Sequence, residues 1–373
     1  MSGPVATVNL KVGDKVNSYQ IKKRLGEGAC GIVYLVAAFD KDGKISGRAA
    51  MKVEPRMKRK EDEILRMEIY VMNKLQQSRH VPKLLASGQR LQYTFVVMSL
   101  LGRELFEIRR RLPGRKMSAT SVLRITIQLI RGFQDIHEAG FVHRDTKSQN
   151  MAMGFKNPLV VYIFDFGLAR QILIDDAKTG KKTLRPARLK VMFRGTSRYC
   201  SLNIHKAKDA GRHDDLYGVL YSCIECITGT LPWKGKPRKE CERLKATTTE
   251  EQLCQGCPPS FLEMAKKLKQ LTYPDTPPYM SFMNKLKKDL PKGAKMTDPY
   301  EWTKPGQALD EHWDEKPTAG MISEREAAEI DRADGAADKD TSKDCEESAV
   351  TEDQESNNEF DPAMSKDDTL DDL

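Results

Sequence analysis

No apolar run in these 373 residues approaches the roughly 20 residues that a membrane-crossing helix needs, so no transmembrane span is expected. The N-terminal stretch MSGPVATVNLKVGDK has no apolar core, and a secretory signal is not expected either. Internal repeats are missing, which sets aside solenoid and propeller arrays. So is any recognisable nucleic-acid module, which weighs against nucleic acid as a partner despite a net charge of +9. With secretion set aside, the cytoplasm, and also the nucleus, is the expected location. The eight cysteines are then expected to be reduced thiols.

What is present describes a soluble globular protein with polar appendages: 39% hydrophobic and 31% charged residues, in a chain long enough for two lobes plus extensions. The charge is segregated. Residues 304–373 hold 7 Lys and Arg against 23 Asp and Glu, a net of −16, which leaves +25 for residues 1–303. A basic body with an acidic tail points to contact between the two, or to an acidic, phosphorylated partner. The tail is also poor in aromatics and rich in Ser, Asp and Glu, a composition that predicts disorder.

Residues 19–98 alternate short apolar runs with turns, and YTFVVMSLL (93–101) and RAAMKVE (48–54) read as strands. EDEILRMEIYVMNKLQ (61–76) carries apolar residues at 64, 65, 67, 69, 71, 72 and 75, which predicts a helix buried along much of its length. From Gly102 the pattern turns helical. A long helix is expected to start at an N-cap Ser118 and to stop at Gly140, with Val122, Ile125, Leu129, Ile130, Phe133 and Ile136 at helical spacing. The order is a strand-rich lobe followed by a helix-rich lobe.

Polar groups then interrupt these apolar elements in a particular order. LGEGACGIVYLV places Gly26, Gly28 and Gly31 ahead of Val33. Glycines let a backbone approach phosphates without side-chain collision. This motif lies between two strand-like stretches rather than between a strand and a helix, which argues for a loop covering phosphates and against a dinucleotide fold. Lys52 interrupts an apolar strand and needs a partner for its charge. Glu68 interrupts the apolar helix, so a buried Lys–Glu pair holding a phosphate oxygen is one reading and a surface pair is the other. HRDTKSQN (143–150) follows, and then IFDFGLAR, where Asp165 closes the apolar run LVVYIF with a glycine two positions on. A carboxylate so placed suits a divalent cation held by oxygen ligands.

The ordered set of glycine loop, Lys, Glu, H-R-D-x-K-x-x-N and D-F-G resembles the protein-kinase signature. The resemblance implies an α+β, bilobal kinase fold with a small strand-rich lobe and a larger helical lobe. An N-terminal extension would cover residues 1–18 and the kinase domain 19–303, with lobes of about 19–100 and 101–303, followed by the acidic tail 304–373. It implies ATP and Mg²⁺ as cofactors and transfer of the γ-phosphoryl group to protein serine or threonine, since a lysine two positions after Asp145 resembles serine/threonine rather than tyrosine kinases. Asp145 would take or orient the proton of the acceptor hydroxyl, and Lys147 would neutralise the transferring group. Asn150 and Asp165 would hold the metal. ATP would be bound by Leu25, Gly26, Glu27, Gly28, Ala29, Cys30, Gly31, Val33, Ala50, Lys52, Glu68, Met98 as gatekeeper and Leu100. Lys190, Arg194 and Thr196 fall in the activation segment that meets substrate. His143, Arg144 and Asp215 would give structural support, Asp215 by bracing the catalytic loop. Ser201-Leu202-Asn203 stands where most kinases have Ala-Pro-Glu, which resembles the casein kinase one group. HVPKLLASGQRLQYTFVVMSLLGREL and DPYEW (298–302) are similar to the tau-tubulin kinase branch. One departure is Cys30, where these kinases often carry an aromatic; another is Ser99 in the hinge. Every catalytic position is filled, which weighs against the alternative of a catalytically weak pseudokinase acting as a binding scaffold.

Three features stand apart. The pairs Cys223-x-x-Cys226 and Cys254-x-x-Cys257 have zinc-like spacing, but LYSCIECI belongs in a buried helix, where cysteine acts as a small hydrophobe. PRMKRK (55–60) resembles a nuclear-import patch but sits where a solvated strand-to-helix loop belongs, which is the favoured reading. Basic residues are dense over 181–194 and 234–245, either as a solvated face or as an anion pocket for acidic or phosphorylated substrates.

Overall fold

The computed structural model describes residues 8–28, 31–59, 63–175 and 180–303, together with Met321 and Ala327. Ala29 and Cys30, and the rest of the acidic tail, lie outside the described residues.

The small lobe is an antiparallel sheet. Strands β1 (Lys15–Val16), β2 (Tyr19–Gly28), β3 (Gly31–Phe39), β4 (Ile45–Pro55), β5 (Leu84–Gln89) and β6 (Tyr93–Ser99) lie in the order β1-β2-β3-β4-β6-β5. The period of two along a strand sorts its side chains to opposite faces. Phe95 and Val97 face one side, where they join Met51, Val53, Ile21 and Val36 in a buried cluster. Val96 and Met98 face the other, with Leu65, Ile69 and Met72 of helix α1 (Ile64–Lys74). Lys52 pairs with Val96 across β4 and β6, which puts its side chain on the α1 side.

The apolar run 93–101 is two strands rather than one. β6 stops at Ser99, and Leu101 begins β7 (Leu101–Glu104), which pairs with β9 (Met151–Gly154) in the large lobe. An apolar run encodes burial but not which sheet supplies the partner.

The large lobe is mainly helical. Its helices are α2 (Leu105–Arg111), α3 (Ala119–Glu138), α4 (Leu202–His205), α5 (Arg212–Thr228), α6 (Arg238–Thr247), α7 (Glu250–Leu253), α8 (Pro259–Lys269) and α9 (Tyr279–Lys288). α3 is the central one and packs on α5 and α9. All six of its expected apolar positions are buried. Each such Phe, Leu or Ile contributes about 2 kcal/mol by leaving water. Ser118 caps α3, its Oγ accepting the Ser121 N–H at 3.2 Å. Gly140 ends the turn after the helix with φ +100°, a conformation that costs glycine little. Short strands carry the chain past the cleft: β8 (Phe141–Val142) pairs with β11 (Arg170–Gln171), β10 (Val161–Ile163) with β9, and β12 (Leu173–Asp175) with β13 (Lys182–Leu184). Tyr300 and Trp302 of DPYEW stack with centroids 4.8 Å apart, and the Arg124 guanidinium lies over Tyr300 at 4.3 Å. From the tail, Met321 is buried in the large-lobe core, with Arg103 Nη1 3.6 Å from its Sδ.

Cys223 and Cys226 are buried in α5, as the hydrophobic pattern predicts. No disulfide joins the described cysteines. Burial pushes the thiols of Cys223 and Cys254 up to about 12, and among the described residues no group of three or more His, Cys, Asp or Glu gathers there as a metal site.

Candidate active site

The cleft between the lobes collects the charges that the sequence scatters. Lys52 Nζ donates to Glu68 Oε2 at 2.6 Å and to Asp165 Oδ1 at 2.8 Å. The Lys52–Glu68 pair is buried, with side chains 9% and 2% exposed, so the surface-pair reading is set aside. Burial raises the pKa of Glu68 against the opposing pull of Lys52. At Asp165 burial pushes the same way, but Lys52 and then Lys147 outweigh it and hold the carboxyl at about 2.

The backbone around Asp165 is tightly specified. After β10, Phe164 N–H donates to Asn150 O at 3.1 Å, and Asp165 adopts a left-handed φ of +66°. A short 3₁₀ turn, Phe166–Leu168, follows, with Phe166 fully buried against the His143 ring at 5.1 Å. A Cβ on Gly167 would lie 2.2 Å from Ile64 Cγ2, so glycine is what lets α1 pack on this turn.

Above it, β2 and β3 close on the glycine motif with Gly26 opposite Val33 and Gly28 opposite Gly31. Among the described residues, a Cβ at Gly26 or Gly28 would meet no atom within 4 Å, whereas one at Gly31 would lie 2.2 Å from Val53 O. Gly31 is thus demanded by its φ of +112° and by the close strand, and the other two keep the surface over the cleft low. Glu27 is exposed there and Leu25 half-buried. Val33 pairs with Lys52 and Ala50 with Met98, so these residues share the cleft face of the sheet; Leu100 follows in the hinge.

On the large-lobe side, Asp145, Lys147, Asn150 and Thr196 meet. Lys147 Nζ lies 2.7 Å from Asp145 Oδ2 and donates to Thr196 Oγ1 at 3.2 Å. Thr196 Oγ1 donates to Asp145 Oδ1 at 2.8 Å, and Asn150 Nδ2 to Asp145 O at 2.9 Å. Gly195 makes the approach of Thr196 feasible, since a Cβ there would lie 2.5 Å from Arg144 O. Asp215 of α5 braces the loop from below. It accepts from His143 N–H at 2.7 Å, Arg144 N–H at 2.9 Å and Thr146 Oγ1 at 3.1 Å, with His137 Nε2 at 3.0 Å. Burial works to raise the Asp215 pKa, but the bond to His137 and the other donors hold it below the usual range. These bonds also support the left-handed Arg144, φ +68°, whose Nε donates to Leu168 O at 2.6 Å.

The activation segment separates its expected members. Thr196 reaches Asp145, while Lys190 and Arg194 are exposed. Arg194 is near enough to Arg144 to depress its pKa together with Arg170 and Arg188, after the larger effect of burial. Asn203, of Ser201-Leu202-Asn203, joins this segment to α5 through His213 Nε2 at 2.9 Å and Asp214 Oδ1 at 3.3 Å. In PRMKRK, Arg56 Nε donates to Glu63 Oε1 at 2.7 Å, so that residue serves the fold.

Two cleft-side carboxylates escaped the sequence reading. Glu104, half-buried at the end of β7, has its pKa raised to about 7 by burial and by Glu107, against the pull of Lys147. Glu54, two residues after Lys52, binds the start of α1. Its signal was visible, since a second charge stands in the same apolar strand on the same face as Lys52. Among the described residues, no group of three or more His, Cys, Asp or Glu gathers as a metal cluster. A cation at this site would instead draw on Asp165, Asn150 and phosphate oxygens, which fits a hard ion with few protein ligands.

A protein kinase domain model matches residues 19–292. The chain is 36% identical over 290 residues to a probable serine/threonine-protein kinase of Dictyostelium discoideum, covering 76% of this chain and 56% of that protein. It is 34% identical over 309 residues to a putative serine/threonine-protein kinase of Caenorhabditis elegans, covering 81% and 87%. A putative casein kinase I of the same nematode is 34% identical over 222 residues, covering 59% and 62%.

Proposed function

Since the chain belongs to the protein kinase family, we propose that it transfers the γ-phosphoryl group of ATP to serine or threonine hydroxyls of protein substrates that are acidic or already phosphorylated. The observation that carries this reading is the closed set Asp145–Lys147–Thr196, with contacts of 2.7, 3.2 and 2.8 Å. An acceptor hydroxyl laid against Asp145 finds a carboxylate to take its proton and, beside it, an ammonium to offset charge on the transferring group. Its oxygen bonds to the γ-phosphorus as the bond to the bridging oxygen breaks, and ADP leaves. Thr196 fixes the rotamers of both charged partners. Lys52, held by Glu68, is the phosphate-binding cation. A divalent cation, Mg²⁺ in this proposal, would neutralise phosphate charge when held by Asp165, kept ionised at about 2, and by Asn150. The Asn150 amide nitrogen is committed to Asp145, so its oxygen would be the atom left to hold the cation.

The finer placement is also our reading. Ser201-Leu202-Asn203, tied to α5, and the stacked DPYEW aromatics support the casein kinase one group and its tau-tubulin kinase branch. The +25 charge of residues 1–303 supports the substrate preference, and we take the cytoplasm or nucleus as the location. We assign residues 1–18 as an extension, 19–303 as the kinase domain and 304–373 as the tail. The test is purified full-length chain with labelled ATP on a peptide library. Transfer should favour acidic and phosphorylated peptides. Equal transfer to neutral peptides would remove the preference, and no transfer to any peptide would leave the scaffold reading.

A further inference from the structure

We propose that Glu54 is a positioning residue for phosphotransfer: a carboxylate on β4 that grips the first turn of α1 and thereby keeps Glu68 on Lys52. A helix start leaves four backbone N–H groups without intrahelical partners, and a side chain at the N-cap usually takes one. In α1 the N-cap residue, Glu63, makes no side-chain cap bond. Glu54 serves instead, from another element. Its Oε1 accepts the Ile64 N–H at 3.0 Å and its Oε2 accepts the Leu65 N–H at 2.9 Å. Glu54 as a whole is only 5% exposed, so these bonds lie largely out of reach of water.

The placement closes a ring. Lys52 and Glu54 are two apart on β4 and share a face. Ile64 and Glu68 are four apart on α1 and share a face one turn apart. Two ties therefore join one strand to one helix, Glu54 to the backbone of its first turn and Lys52 to Glu68 on its second. Beside the apolar packing of Leu65, Ile69 and Met72, the two polar ties set the rotation and height of the helix start. The first turn also reaches the other side of the cleft, because Ile64 packs on Gly167 beside Asp165, the second partner of Lys52. Arg56, 2.7 Å from Glu63, secures the same turn from the loop after β4. Burial raises the Glu54 pKa to about 7, with the two N–H donors and Lys52 opposing and Glu63 assisting. A neutral acceptor should thus stand in for it in part.

This inference rests on the phosphotransfer reading for its kinetic arm but not for its structural one. In full-length protein, Glu54→Ala should raise KM for ATP about tenfold, the scale of one lost hydrogen-bond tie, with kcat changed less. Glu54→Gln, which keeps one strong acceptor, should fall between wild type and Ala. Hydrogen exchange without nucleotide should show protection lost in α1 of Glu54→Ala and retained in α3. Unchanged α1 exchange together with unchanged KM would overturn the proposal. So would loss of protection spread equally over α1 and α3, which marks a general stability effect. If Glu54→Ala does not fold, Glu54→Gln with wild-type exchange and KM would overturn it. Absence of turnover in wild type would count against the kinase reading alone, and α1 exchange and ATP affinity would still decide the role of Glu54.

Discussion

On the large-lobe side of the cleft, one buried carboxylate, Asp215, takes four donors and fixes the backbone of the catalytic loop from within a helix that is itself core. On the small-lobe side, Lys52 meets Glu68 only while α1 keeps its height and rotation, and the start of that helix hangs on two bonds to Glu54. The half that would handle the acceptor hydroxyl in the proposed reaction is locked by packing and by several bonds. The half that would handle the nucleotide adds to the apolar packing of α1 a few separable polar ties. Preorganisation suits the first, where charges must be aimed at the reacting atoms. Adjustability suits the second, because helix and loop positions are where kinases are switched.

The largest expected effect breaks the locked half at its reacting group. Asp145→Asn should lower kcat by about 10²-fold or more, the scale of a lost general base, and leave nucleotide affinity nearly intact. A loss of ATP affinity equal to the loss of kcat would place Asp145 in the nucleotide half instead. Next, Asp215→Ala should strip the brace and leave buried N–H groups unpaired, at a cost of about 3 kcal/mol in chemical unfolding. Glu54→Ala should cost less than that, and a larger cost at Glu54 would reverse the comparison.

These contrasts also show which parts of the site can be read from sequence. Asp145, Lys147 and Asn150 were legible because one short loop carries them at fixed spacing. Lys52 and Glu68 were legible because each interrupts an apolar period and must find a partner. The division of 93–101 into β6 and β7 was not, because apolar side chains do not say which strand lies alongside. Glu54 was overlooked although its charge interrupts the same apolar strand as Lys52, because its partners are backbone N–H groups, which leave no mark in composition. Glu104 was overlooked because its environment is set by Lys147 and Glu107, brought near only by the fold.

A smaller effect sharpens the substrate side. Thr196→Val should lower kcat about tenfold, as the hydroxyl's hydrogen bonds with Lys147 and Asp145 are both lost, with KM for ATP unchanged. Thr196→Ser should restore it, and failure of Ser to rescue would point to packing rather than to the hydroxyl. The smallest effect is in pH dependence. The Glu54 carboxyl titrates near 4.5 in an unfolded chain and at about 7 in the fold. Between these values the folded state holds a proton that the unfolded state has lost, so this contribution to stability falls as pH rises through that window. Glu54→Gln should therefore flatten the decline of Tm over that range. An unchanged slope would assign the decline to other groups.

The most direct measurement is the identity of the phosphorylated residue. Full-length protein and Asp145→Asn, each incubated with labelled ATP, Mg²⁺ and an acidic peptide mixture, would be followed by hydrolysis and separation of the phosphoamino acids. Label on serine and threonine with wild type, and its near-complete loss with Asp145→Asn, is the expected result. Label on tyrosine, equal label with both proteins, or no label at all would contradict the account.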